Sequence, residues 1–440
     1  MKRNTIQGGT AAAIAASVEQ AVHTGTLTPG MGLPPIRQLA AKLGVSPVTV
    51  AAAYRRLHIR GLVTGDGRRG TRIRPNPPSP GPGVEPGRVS EGLVDLATGN
   101  PDPLLLPSIE SALRGAGPAP CLYGEAPLLA PLLTFAAGEF AADGIRSQAL
   151  TLTSGGLDAI ERLLREHVRP GDRVGLEDPT LPALIDLVTA SGYIVQPMAV
   201  DEDGPRPDAL AEALARGARA IVMTSRAQNP TGAALTGDRA AQLLRLLRGH
   251  DEVLLIESDP AGPVSGVAAV TLCRGAHPRW AAVRSVSKFL GPDLRVAIVA
   301  GDALTVARLQ GRQSLGPRWV SHILQKLTLS LWSDPASGRR LARAADIYTQ
   351  RRVAAIEALA SHGLHTAARS GFNIWIPVRE ETAAVQAMAE RGWAVAAGER
   401  FRIGSAPAIR VTTSALATDA APHFAADLVD SIRRSGAMSA

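Results

Sequence analysis

The sequence predicts an α/β protein with a separate basic module at its N-terminal end. Three observations carry that reading. Short β-branched and apolar runs alternate with amphipathic helical stretches between residues 149 and 287, the pattern of a mostly parallel sheet covered by helices. Positive charge is concentrated at one end: residues 1–75 hold eleven lysines and arginines against Glu19 and Asp66, a net of +9. The whole chain carries +8, which leaves −1 for the rest. Between the two parts lies a stretch with six prolines from Pro75 to Pro86, the composition of an extended, semi-rigid linker. The expected division is therefore a basic module over 1–75, a linker over 76–93 and a body over 94–440.

The totals exclude several other classes. A 440-residue chain that is 45% hydrophobic and 20% charged can bury a large core. No apolar run reaches the roughly 18 to 20 residues of a membrane span. The N-terminal "MKRNTIQGGTAAAIAASVEQ" is interrupted by polar residues and Glu19, so it reads as a helix and not a signal peptide. Cys121 and Cys273 are the two cysteines. They make neither a disulfide framework nor a metal cluster, and a cytoplasmic protein with reduced thiols is expected.

Within the basic module, "PPIRQLAAKLGVSPVTVAAAYRRLHIRGLV" contains two helical patterns separated by a turn at Gly44–Ser46. Leu39, Ala40 and Leu43 form one apolar face, and Val50, Tyr54 and Leu57 form another. Ser46 is suited to cap the second helix, with Pro47 at the first position, where a missing N–H costs nothing. "GLVTGDGRRGTRIRP" then reads as strand, glycine turn and strand, a basic hairpin. Helix–turn–helix with a charged wing is a shape that reads double-stranded DNA.

In the body, "ALTLTS" (149–154), "RVGLED" (173–178), "YIVQPMAV" (193–200), "AIVMTS" (220–225), "EVLLIES" (252–258) and "AAVRSVS" (281–287) read as short buried strands. From about residue 335 a long helical stretch is followed by "GFNIWIPV" and "AIRVTTSAL", consistent with a smaller α+β subdomain.

The body also carries a conspicuous lysine. The chain has four, Lys2, Lys42, Lys288 and Lys326, whereas the other 43 basic residues are arginines. Lys288 lies in "VRSVSKFLGPDLRVAIVAG", flanked by Ser285, Ser287 and Arg295. A desolvated amine near other cations forms a Schiff base with an aldehyde. Hydroxyls and a guanidinium hold a phosphate. Upstream, Ser154-Gly155-Gly156 stands between a strand and a helix, where glycines let backbone N–H groups approach an anion at the helix's positive end. Joined with "NPTG" at 229–232, in that order and spacing, these segments form one constellation.

The N-terminal landmarks "LPPIRQLA", "LGVSPVTV", "AYRRLHIRGLV" and "GRRGTRI" resemble the winged helix–turn–helix of the GntR family. That resemblance implies DNA contacts from Arg37, Ser46 and Thr49, with Arg69 and Gly70 in the wing. Pro47 and Ala51 stand where the family often has arginine. The body resembles the fold-type I aminotransferase domain, and the pair of domains resembles the MocR subfamily of GntR regulators. Pyridoxal phosphate is the cofactor this implies, anchored on Lys288, with Arg295, Ser285, Ser287, Gly155 and Gly156 on its phosphate and Asn229 on its ring hydroxyl. Tyr123 resembles a tyrosine that reaches a partner subunit's phosphate, implying a homodimer, and Arg410 matches an arginine that grips the carboxylate of an amino-acid-like ligand.

Three positions depart from the family pattern. In "LIESDPAGPVSG", Ser258 falls where an aspartate pairs the pyridine nitrogen, and Pro260 or Ala261 where tyrosine or histidine stands. Leu181 replaces an aromatic that stacks on the ring. Asp259 takes the pyridine position if the strand end shifts by one residue; Glu257 is a poorer candidate. A carboxylate there keeps the pyridinium protonated and makes the ring an electron sink, which serine cannot do. The departures favour a transcriptional regulator that senses pyridoxal phosphate or its adduct with an amino compound. Two alternatives stand beside it: an aminotransferase carrying a DNA tether, and a regulator whose degenerate site holds no cofactor.

Overall fold

The computed structural model describes residues 6–23, 26–28, 30–59, 62–65, 70–73, 89–115, 121–275 and 277–434. Arg69 of the expected wing and residues 76–88 of the expected linker lie outside the described residues.

In the N-terminal unit, Ala11–His23 (α1), Ile36–Leu43 (α2) and Pro47–Ile59 (α3) are helices. Val63–Gly65 (β1) pairs antiparallel with Thr71–Ile73 (β2), Val63 opposite Ile73. The apolar faces legible in the sequence are the buried ones: Leu39, Ala40, Val50, Tyr54 and Leu57 share a core with Ile14, Val18, Val63 and Ile73. Gly44 ends α2 with φ 67°, a left-handed turn that glycine adopts without strain. Two residues on, Ser46 Oγ accepts the Thr49 N–H at 3.1 Å, a cap worth about 1 kcal/mol to α3. The Tyr54 hydroxyl donates to the Pro34 carbonyl at 2.7 Å, fixing the entry to α2 against α3. Burial pushes the pKa of that phenol up.

The first strand of the body is Val94–Leu96 (β3). Its large sheet is built from Ala149–Thr153 (β4), Arg173–Asp178 (β5), Ile194–Asp201 (β6), Gly204–Pro205 (β7), Ala218–Thr224 (β8), Leu254–Asp259 (β9), Trp280–Ser285 (β10) and Ala297–Gly301 (β11). The strand order is β4-β11-β10-β9-β8-β5-β6-β7. β8, β9 and β10 run parallel, whereas β11 is antiparallel to both its neighbours and β7 is antiparallel to β6. This is the mixed, mostly parallel sheet of the expected α/β class. Residues 254–257 of β9 and all of β11 are buried, as continuous apolar strands covered on both faces should be.

The smaller sheet joins Asn373–Pro377 (β12), Trp393–Ala397 (β13) and Ala408–Thr412 (β14) to β3, in the order β12-β14-β13-β3. The subdomain expected at the C-terminal end is therefore completed by three residues from the start of the body, β3 lying parallel to β13. A 27-residue helix, Pro335–Ser361, leads into it. Among the described residues no helix is long and apolar enough to cross a membrane.

Candidate functional site

Lys288 follows the end of β10 and is half-buried. Its Nζ donates to the Gly99 carbonyl at 2.7 Å. Burial, reinforced by the charge of Arg410, brings the lysine down to a pKa of about 8. An amine so placed is far closer to its nucleophilic, neutral form at physiological pH than a surface lysine.

The structure brings together the glycines, hydroxyls and guanidinium expected around this amine. Gly155 has φ +103°, and a Cβ there would lie 2.7 Å from a terminal nitrogen of Arg295. A Cβ on Gly156 would meet Ser285 Cβ at 3.7 Å. Gly155 precedes and Gly156 opens the helix Gly156–His167, whose N-terminal Asp158 carboxylate accepts the Ser154 N–H at 2.9 Å. Ser285 Oγ donates to Ser287 Oγ at 3.1 Å. Two hydroxyls, a guanidinium and a helix N-terminus thus converge beside the lysine, from segments far apart in sequence.

Arg410, on β14, is buried at 5% exposure. Its Nη1 donates to Asn229 Oδ1 at 3.3 Å, its Nη2 donates to the Ala97 carbonyl, and its guanidinium carbon lies 4.8 Å from the centre of the Phe401 ring. Burial pushes its pKa down to about 10, with Asp95 opposing the shift. Arg410 Nε is buried with no hydrogen-bond partner among the described residues, a costly state unless a ligand meets it. Gly99 has φ +74°, and a Cβ there would crowd Arg410 Nη1 at 3.1 Å.

Tyr123 is placed apart from these groups in contact terms. It is 81% exposed, edge-on to Trp319 at 5.7 Å and under the guanidinium of Arg318. In the N-terminal unit Arg37 is exposed near the start of α2, and Gly70, φ +84°, enters β2. Ser46 and Thr49 are hydrogen-bonded to one another through their hydroxyls at 2.9 Å.

Asp259 does not take the position expected of it. Its Oδ1 accepts from Arg226 Nε at 3.1 Å and from the Gly262 N–H at 2.9 Å; its Oδ2 accepts from Arg226 Nη2 at 2.8 Å and Arg284 Nε at 2.9 Å. Asp143 closes the cluster with ion pairs to both arginines. Burial alone would raise the Asp259 carboxyl, but Arg284 and Arg226 hold it at about 2. The strand end has not shifted, and both oxygens are committed away from any cofactor. Sequence reading missed this four-residue cluster, whose members lie at 143, 226, 259 and 284. A signal was present in the charged residues inside otherwise apolar strands, since a buried charge requires a partner.

Pyridoxal phosphate fits the residues present. The cradle has glycine where a side chain would strike Arg295, the lysine is desolvated, and Arg410 keeps an unmet donor for an anionic group. Fold and site together define a DNA-binding transcription regulator built on an aminotransferase-like body.

Residues 91–428 match the aminotransferase class I and II family, and residues 10–73 match the gntR family of bacterial regulatory proteins. The chain belongs to the aminotransferase class I and II family over its body, joined to a gntR-family domain as in MocR-type regulators. It is 39% identical over 432 residues to the vitamin B6 salvage pathway transcriptional repressor PtsJ of Salmonella typhimurium, covering 98% of this chain and 100% of that one. It is 28% identical over 349 residues to the HTH-type pyridoxine biosynthesis transcriptional regulator PdxR of Corynebacterium glutamicum, covering 76% and 75% of the two. In fold, the body resembles the α-aminoadipate aminotransferase LysN of Thermus thermophilus at 22% identity, with a TM-score of 0.69 over 79% of this chain and 93% of that one.

Proposed function

We propose that this chain represses or activates genes of vitamin B6 supply by binding double-stranded DNA through its N-terminal unit and pyridoxal phosphate in its body. The observation that carries the reading is the convergence of Lys288, the Gly155–Gly156–Ser285–Arg295 cradle and Arg410 in a body joined to a gntR-family domain. The 39% identity to a vitamin B6 salvage repressor along the whole chain supports the class of gene.

The roles divide as follows. When bound, the cofactor supplies an aldehyde carbon that an amine captures. Lys288 supplies that amine. Arg295, Ser285, Ser287 and the N–H groups at Gly155 and Gly156 bind the phosphate, and Asn229 orients the ring hydroxyl while holding Arg410. The unmet Nε of Arg410 suits the carboxylate of an amino-acid-like effector. The exposed Tyr123, with Leu122 and Ile323 also exposed, suits a surface covered by a second copy of the chain, hence a homodimer. On DNA, Arg37, Ser46 and Thr49 contact the duplex, Ser46 also holding the start of α3, with Gly70 on the wing side.

The test is a visible spectrum of the purified protein with pyridoxal phosphate, beside Lys288→Ala, followed by borohydride reduction and peptide mapping. A yellow band and a reduced adduct on the peptide carrying Lys288, both absent from the variant, are expected. DNA affinity measured with and without the cofactor should then differ. A protein that takes up no cofactor refutes the reading.

A further inference from the structure

The two faces of β9 separate its serine from its acids. Across the parallel β9–β10 ladder Val283 pairs with Ser258, and Arg284 with Asp259. Paired residues share a face of the sheet, and neighbours along a strand take opposite faces. The Val283–Ser285 face is the one that meets the cradle, since a Cβ on Gly156 would touch Ser285 and Val283 at 3.7 and 3.9 Å. Ser258 therefore stands on the cradle's face, half-buried at the C-terminal end of its strand. Its hydroxyl makes no hydrogen bond among the described residues. Glu257 and Asp259 project from the opposite face, where Arg284 lies over the Phe140 ring at 4.6 Å.

The acids at the neighbouring strand ends are engaged as well. Glu177 accepts from the Thr224 N–H and Gln228 Nε2 at 3.0 and 3.2 Å. Asp178 accepts from the Ile403 and Gly404 N–H groups and Ser405 Oγ, all within 2.9 Å. Glu257 accepts from Thr271 Oγ1 and the Leu272 N–H at 3.0 and 2.8 Å. Lys288, Arg295 and Arg410 bring three positive charges to the site, and Asp95 offsets that of Arg410. A further positive charge is disfavoured among them unless a carboxylate accompanies it.

We propose that Ser258 is the residue this chain offers to the pyridine nitrogen, donating its hydroxyl hydrogen to a nitrogen that stays unprotonated. The inference rests on the cofactor reading above. It makes Ser258 a specificity-determining residue: it recognises the ring while withholding the charge that would turn the ring into an electron sink. The site then retains its ligand and transmits its presence, with carbanion chemistry suppressed.

The test uses the full chain and two probes, pyridoxal phosphate and its 1-deaza analogue, in which a C–H replaces the ring nitrogen. Affinities are read by tryptophan fluorescence for wild type, Ser258→Ala, Ser258→Thr and Ser258→Val. One hydrogen bond between neutral groups predicts a preference of about threefold to tenfold for the natural cofactor in wild type and Ser258→Thr. Ser258→Ala and Ser258→Val should bind both probes equally. If Ser258→Ala fails to fold, the isosteric threonine and valine variants carry the comparison. Equal binding of both probes by wild type, or a preference that survives loss of the hydroxyl, overturns the proposal. Binding of neither probe by wild type overturns the cofactor reading and this inference together, so the two failures are told apart.

Discussion

The two ends of the site differ in how they are held. At the proposed phosphate end, Gly155 and Gly156 stand against Arg295 and Ser285, and the glycine at 155 is dictated by Arg295 at its back. At the ring end, Leu181, Ser258 and Ala261 stand where the resemblance leads one to expect stacking, charge and a phenol or imidazole, while Asp259 is bound to two arginines. Anchoring depends on contacts to phosphate and aldehyde. Electron withdrawal depends on charge at the ring nitrogen. Residues of the first kind are gathered here, whereas the Asp259 carboxylate, which could have served the second, is spent on arginines.

The sharpest way to break this contrast is at Asp259. Asp259→Asn leaves Arg226 and Arg284 sharing Asp143 alone, and removing one partner from a buried ion cluster costs about 3–5 kcal/mol. Urea denaturation should show that loss, and cofactor affinity at a temperature where the variant is folded should change little. A large loss of affinity with unchanged stability would show that Asp259 serves the ring after all. The sign in pH follows from a depressed carboxyl: the contribution of Asp259 is complete above the ordinary aspartate range and is lost as pH falls toward about 2.

Gly155→Ala tests the other end. The left-handed backbone at φ +103° and the 2.7 Å approach to Arg295 both penalise a methyl group. Affinity for pyridoxal phosphate should fall about tenfold, from a strain of roughly 1–2 kcal/mol. Binding of pyridoxal, which lacks the phosphate, should barely move. Equal losses for the two would mean that the cradle supports the whole site and not the phosphate alone.

A third test is kinetic. With Lys288 at about 8, capture of an aldehyde should quicken as pH rises from 6 through about 8 and level off above, as the protonated amine gives way to the free one. Stopped-flow absorbance checks this. A rate that climbs on toward 10 would place Lys288 among ordinary lysines.

Much of this was legible in the sequence, and the parts that were not have physical reasons. The helix–turn–helix followed from local periodicity and a Ser cap, and the cradle from glycines placed between strand and helix. β11 escaped because "RVAIVAG" follows the lysine segment without an α-helical crossover before it, as an antiparallel strand between β4 and β10 does. β3 escaped because three residues carry no periodicity; its place is set by pairing with β13, some three hundred positions away. The face of Asp259 was undecidable from spacing, since a slip of one residue sends every side chain of a strand to the other side.

The bond from Lys288 to the Gly99 carbonyl has a consequence for how occupancy is felt. Gly99 acts as a resident competitor: whatever takes the lysine's nitrogen takes it from that carbonyl, and what it gives up is counted against its affinity. The carbonyl belongs to the stretch just after β3, six residues beyond the expected end of the linker at 93. Filling the site therefore releases that stretch from one of its holds on β10's end.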